Sequence, residues 1–190
     1  MIYIAVEGES DREAAIAVAR VAGHDVAHVY VAGGKTKLDA KIAKYNAASR
    51  GVSWVVFRDS DGQCPVELRR HLTAGIFSWS PRFALRIAHS MTEAWLMADK
   101  EGFAGFFHVR PSRLPLHPES VEHAKRTLLD LCLASSSRTI RRDVVTADGK
   151  TGPLYVVRIN EFASRRWDVN AAAENSPSLA RALESIRSLP

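Results

Sequence analysis

The chain has 190 residues, 46% hydrophobic and 25% charged, proportions that exclude a disordered or low-complexity protein and suit one good-sized domain with an ordinary core. Its formal charge of +5 and pI near 9.5 are compatible with a nucleic-acid partner without demonstrating one. Cys64 and Cys132 lack metal-ligand spacing and read as reduced thiols, and the apolar start at Ile2 to Val6 meets Glu7, Glu9 and Asp11 at once. No membrane span or signal peptide is therefore expected, and the cytoplasm is the default location.

Ile2 to Val6 is short, apolar and β-prone, which predicts a central strand. Ser10 and Glu13 have the spacing of a capping box, opening a helix to about Ala22 that packs through Ala15, Val18, Ala19 and Ala22 and ends at Gly23. A second strand is expected within Asp25 to Ala32. The loop Gly33-Gly34-Lys35-Thr36-Lys37 then leads to a helix from about Lys37 to Ser49, with Leu38, Ile42 and Tyr45 inward. Residues 52 to 57, apolar apart from Ser53, predict a strand covered on both faces. This order implies a parallel α/β sheet with right-handed crossovers, whose ligands lie beyond the carboxyl ends of the strands.

Glu7, Asp59 and Asp61 fall at those ends. Asp59 and Asp61, two positions apart, face the same way if the extended backbone continues, and Gly62 permits a turn beyond them. Such a pair is either a loop start built from ordinary turn residues or a divalent-metal site, because facing carboxylates repel unless a cation or proton lies between them. Adjacent first and third strands would bring all three carboxylates together.

Pro65 to Gly75 is predicted as a helix, Phe83 to Ala88 as a strand, and His89 to Asp99 as a helix with Met91, Ala94, Trp95 and Ala98 on its apolar side. Glu93 and Asp99, six positions apart, lie about 120° from each other on a straight helix and need a kink or helix end to share a site. Trp95 reads as a core anchor in preference to a base-stacking platform. From Phe103 to Leu116 the periodicity dissolves among prolines. Glu119 to Leu133 is predicted helical, with His123 and Lys125 near its solvated side. Residues 135 to 153 read as a loop or small hairpin whose Arg138, Arg141, Arg142 and Lys150 either track phosphates or are solvated. Tyr155 to Ile159 is predicted as a short strand and Ser176 to Leu189 as the last helix. Residues 1–100 form the expected α/β core, and 101–190 an irregular helical and loop extension packed on it.

Glu7-Gly8-Glu9-Ser10-Asp11 and Asp59-Ser60-Asp61-Gly62 resemble the two signature motifs of the Toprim fold, shared by topoisomerases, primases, recombination mediators and OLD-family nucleases. Met91-Thr92-Glu93-Ala94-Trp95-Leu96-Met97-Ala98-Asp99 is similar to the Glu-Ala-Trp-Leu-x-Ala-Asp motif of a Toprim-like family allied to the OLD nucleases. Pro118 to Lys125 and Ser176 to Leu179 resemble that family's tail, with His123-Ala124 where a proline before the lysine is more usual.

The resemblance implies a four-stranded parallel sheet between helices and a Mg²⁺ site, with Mn²⁺ as substitute, held by Asp59 and Asp61. Glu7 either joins the metal or acts on a water. Glu93 and Asp99 are candidates for a second metal or for orienting the first ligands; for Glu93 the alternative is a carboxylate placed against free helix amides. Arg12, Lys35 and Lys37 are candidate phosphate contacts. The implied activity is magnesium-dependent cleavage of DNA or RNA phosphodiesters, by water and without an ATPase, with defence against foreign genetic elements as the implied role and a separately encoded protein as a candidate partner. The alternatives are a non-catalytic nucleic-acid-binding or scaffold protein, and a metal-dependent phosphatase or small-nucleotide hydrolase.

Overall fold

In the computed structural model, which describes residues 1–190, strand β1 (Ile2–Val6) is flanked by β2 (Val26–Val31) and β3 (Ser53–Asp59), and β4 (Phe83–Ala88) lies beyond β3. The order is β2-β1-β3-β4 and every pairing is parallel. Helices α1 (Arg12–Val21), α2 (Lys35–Asp39), α3 (Ile42–Ala48) and α4 (Pro65–Thr73) make the connections. This is an α/β protein with a four-stranded parallel sheet between helices, the architecture the resemblance implies.

The period of two along the strands sorts side chains into two cores. Ile2, Ile4, Val6, Val55, Phe57, Ala84 and Ala88 face α1 in the larger one. Ala5, Trp54, Val56, Phe83 and Leu85 meet Leu38, Ile42 and Tyr45 in the smaller one, with Leu72 of α4 packed against it. All of β3 is buried, which explains its unbroken apolar run. The chain thus leaves β1 onto one face of the sheet and leaves β3, its neighbour, onto the other. Between two such strands a crevice opens at their carboxyl ends.

The second half adds α5 (Thr92–Ala98), α6 (Lys100–Phe107), α7 (Ala124–Leu133), α8 (Arg138–Val144), α9 (Tyr155–Arg165), α10 (Val169–Glu174) and α11 (Pro177–Arg187). They extend the larger core without a break through Trp95, Phe103, Phe107, Phe162, Leu179 and Leu183. Trp95 is buried, meets Phe57 edge to face at 6.1 Å and donates from Nε1 to Ser178 Oγ at 2.7 Å, so it is a core anchor. No helix is long and apolar enough to cross a membrane.

Several expectations are corrected. The first helix is entered through a 3₁₀ turn, Glu9–Asp11, with Asp11 Oδ2 accepting from Gly8 N at 2.9 Å in place of a Ser10 cap. It does end at Gly23 (φ 92°), where Gly23 N and His24 N donate to Arg20 O and Ala19 O. The helix expected over 37–49 is two, interrupted after Asp39. Residues 103–107 belong to α6, hidden by the low helix propensity of Gly102 and Gly105. The helix expected from Glu119 starts at Ala124, preceded by a 3₁₀ turn at Pro118–Ser120. Within 135–153 Ser137 caps α8, and only the Val145–Thr151 bridge is hairpin-like. The strand expected at Tyr155 to Ile159 is the start of α9. Burial of Tyr155, Ile159, Phe162 and Ala163 at helical spacing outweighs the β preference of Val156 and Val157.

Candidate functional site

The crevice between β1 and β3 gathers acid. Asp59 N donates to Glu7 Oε1 at 2.9 Å, tying the two strand ends together. Asp59 Oδ1 accepts from Thr92 N and Thr92 Oγ1, each at 2.9 Å, which brings the start of α5 onto the crevice. Glu93, the next residue, accepts from the Tyr155 hydroxyl at 2.6 Å through Oε1. Asp11 is folded back by its 3₁₀ turn. Glu7, Asp11, Asp59, Asp61 and Glu93 line one pocket of about 510 Å³, with Lys125 at its wall.

Asp61 stands apart in conformation. β3 stops at Asp59, and Asp61 adopts φ 48° before Gly62 at φ 79°, so the extended backbone does not continue between the two aspartates. Its Oδ2 receives Lys35 Nζ at 3.0 Å and Arg58 Nη1 at 3.2 Å. Arg58 is a buried hub, with Nε on Asp39 at 2.9 Å and Nη1 3.2 Å from Glu7, as well as bonded to the Asp59 carbonyl. Burial disfavours its charge, but Asp39, Glu7 and Asp61 outweigh that and hold it charged.

Asp11, Asp59 and Glu93 have no such ion pair, and Glu7 shares Arg58 with Asp39 and Asp61. Burial raises Asp59 well above the usual carboxylate range, and the nearby charges of Asp11, Glu93 and Glu7 add to it. Burial also lifts Asp11 to about 7 against the opposing Gly8 N–H, with Glu93 and Glu7 adding to the rise. Glu7 rises too, because burial outweighs the Asp59 N–H and Arg58. In the free protein this crevice therefore retains protons that a solvated cluster would have lost.

A divalent cation suits the donor set by chemistry, since hard carboxylate oxygens that hold protons for want of positive charge exchange them for a metal. No three side chains stand together as ready ligands: Glu7, Asp59 and Glu93 each direct one oxygen to a protein donor. Their second oxygens receive no protein hydrogen bond.

Other expected site residues lie elsewhere. Asp99 caps α6, accepting from Gly102 N at 3.0 Å and Asp168 N at 2.8 Å, and does not line the pocket. The helix end between Glu93 and Asp99 thus separates the two carboxylates. Arg12 meets Glu13 at 3.8 Å and also lies outside the lining. Lys35 borders the crevice through Asp61, while Lys37 folds back beside Gly33. Arg142 pairs with Asp143 and Lys150 with Asp148, and Arg141 bonds the Ser135 carbonyl, so much of the basic 138–150 segment is engaged within the fold.

Asp11, Arg58, Thr92, Lys125 and Tyr155 were not anticipated as site residues. Asp11 shares the Glu7-Gly8-Glu9-Ser10-Asp11 motif, where its place at a helix start disguised it. Lys125 lies 4.7 Å over the Tyr155 ring and faces the crevice, not the solvated side expected of it. The fold and crevice define an α/β protein with a carboxylate pocket at its topological switch point. No family model, curated protein or solved structure matches the chain.

Proposed function

We propose that the protein is a metal-dependent phosphodiester hydrolase acting on nucleic acid, with Glu7, Asp59, Asp11 and Glu93 as the candidate cation-holding carboxylates. The observation that carries the reading is the convergence of these four buried or half-buried acids at the β1/β3 crevice, where only Glu7 has an ion pair, to an Arg58 that it shares with Asp39 and Asp61. Bound there, Mg²⁺ or Mn²⁺ would offset charge gathering on phosphate oxygens. The chain's own residues have separable tasks. Arg58 and Lys35 hold Asp61 at the rim, Thr92 fixes one oxygen of Asp59, and Tyr155 fixes one oxygen of Glu93. Lys125, which lines the pocket, would supply the positive charge to meet a phosphate.

Calorimetric titration of Mg²⁺ and Mn²⁺ into the wild type and an Asp59→Asn/Asp61→Asn variant, with DNA and RNA cleavage followed on the same samples, tests the reading. Saturable binding is expected to release protons near neutral pH, because the cation displaces those held by Asp11 and Asp59, and binding and cleavage are expected to vanish together in the variant. The same titration in two buffers of different ionisation enthalpy counts the protons. Absence of both binding and cleavage in the wild type would overturn it. A nucleic-acid-binding protein without catalysis is the second reading, favoured by the hydrogen bonds that already engage one oxygen of Glu7, Asp59 and Glu93. It expects polynucleotide binding to survive in the double variant.

A further inference from the structure

β4 is an edge strand, and its exposed side is guarded by side chains. Trp79 Nε1 donates to Phe83 O at 3.1 Å and Arg69 Nη1 to Leu85 O at 2.9 Å, with the Arg69 guanidinium 5.2 Å from the Trp79 ring centroid. Capping of edge carbonyls accounts for Arg69 and Trp79. It does not account for Arg86 or Arg181.

Arg69 from α4, Arg86 from β4 and Arg181 from α11 converge on one pocket of about 270 Å³ beside Val66 and Ser178. No carboxylate forms an ion pair with any of the three, and neither the Arg86 nor the Arg181 side chain makes a hydrogen bond inside the protein. Arg86 Nε is fully buried and has no partner. An orphaned buried guanidinium donor is costly and wants a partner from outside the protein, and with two further guanidinium groups beside it an anion suits that place better than water alone. Glu119, which meets the pocket through Ser178, is engaged by Ser176 and Ser178. Burial, then the like charges of Arg69 and Arg181, push Arg86 down to about 10.

We propose that Arg69, Arg86 and Arg181 form an anion subsite on the open edge of β4 that binds a phosphate group. Planar guanidinium forks from three directions match the several oxygens of a tetrahedral phosphate, while Val66 supplies an apolar wall. The subsite is separate from the acidic crevice and needs no metal. Its phosphate comes either from a small phosphorylated molecule or from a polynucleotide backbone crossing the sheet edge.

Calorimetric titration of inorganic pyrophosphate, and separately of a short single-stranded oligodeoxynucleotide, into the full chain in EDTA distinguishes these sources. EDTA removes any contribution from cations at the crevice, so failure here and failure of the hydrolase reading are separable. Arg86→Met is expected to weaken binding about tenfold or more while leaving the unfolding midpoint unchanged or higher, because it removes an uncompensated charge. Arg181→Met, on the exposed side of α11, is expected to weaken binding about threefold or more and serves where Arg86→Met folds poorly. Pyrophosphate binding lost in these variants, with no oligonucleotide binding, identifies a small phosphate ligand. Arginine-dependent oligonucleotide binding identifies a polynucleotide. Failure of both probes to bind the wild type, or wild-type affinity in both variants, overturns the subsite.

Discussion

Asp143 and Asp59 are both buried aspartates on well-packed elements, and they resolve their charge in opposite ways. Asp143 receives Arg158 at 2.7 Å and Arg142 at 2.8 Å, which hold its carboxyl below the usual range despite burial. Asp59 has two Thr92 donors but faces Asp11, Glu93 and Glu7, and it rises. The counterion makes the difference. Where the fold supplies one, the carboxylate ties α8 to α9; where it withholds one, the carboxyl is held above its usual range.

Removing each carboxylate sharpens that contrast. Asp143→Asn should cause the largest loss of stability, because it removes the charge that Arg158 and Arg142 share and turns an N–H₂ group against one of the two guanidiniums, and a pronounced fall in the midpoint of thermal unfolding is expected. Asp59→Asn should keep an oxygen for Thr92 while removing a carboxyl that is costly to ionise, so the midpoint holds or rises, and divalent-cation binding and cleavage should be abolished. Equal destabilisation by the two variants would show that both aspartates serve the fold alone.

Asp11 gives the pH dependence. Its carboxyl lies near 7 in the folded chain against an ordinary 3.8, with burial the main cause. Between those values the folded state keeps a proton that the unfolded chain has released. Stability therefore falls as pH rises through this window, and the loss is complete above about 7. Asp11→Asn should flatten that slope and gain at least ~1 kcal/mol at pH 8. Saturating Mg²⁺ should flatten it in the wild type. Unfolding midpoints from pH 4.5 to 8, with and without Mg²⁺, measure both, and an unchanged slope in Asp11→Asn would place the proton on another group.

Long signals were the legible ones. The β1 and β3 runs, the capped α11 with Ser176 and Pro177, and the alternation that orders the sheet all appear along the chain, and the strand ends point to Glu7 and Asp59. What did not appear is assembled in space. Arg58 continues the apolar run of β3, and its partner Asp39 lies on a different helix. The arginine pocket is spread over α4, β4 and α11. Asp99 was singled out by its place in the Glu93 to Asp99 motif, and a carboxylate at a helix end has the same sequence appearance whether it caps the next helix or faces a ligand.

Tyr155 is the hardest case, and it yields the smallest expected effect. Val156 and Val157 beside it suggested a strand, yet its hydroxyl is buried against Glu93, and burial followed by the Glu93 charge raises it well above its ordinary range. In that setting its hydroxyl is a donor to one Glu93 oxygen. Tyr155→Phe removes one hydrogen bond to a carboxylate and should cost roughly 1–2 kcal/mol of stability. It should also weaken divalent-cation binding while the Asp59–Thr92 contacts stay intact, a split that calorimetry alongside thermal unfolding reads directly. Unaltered cation affinity together with lost stability would leave Tyr155 as packing against Lys125 and the core, and would remove Glu93 from the cation-holding set.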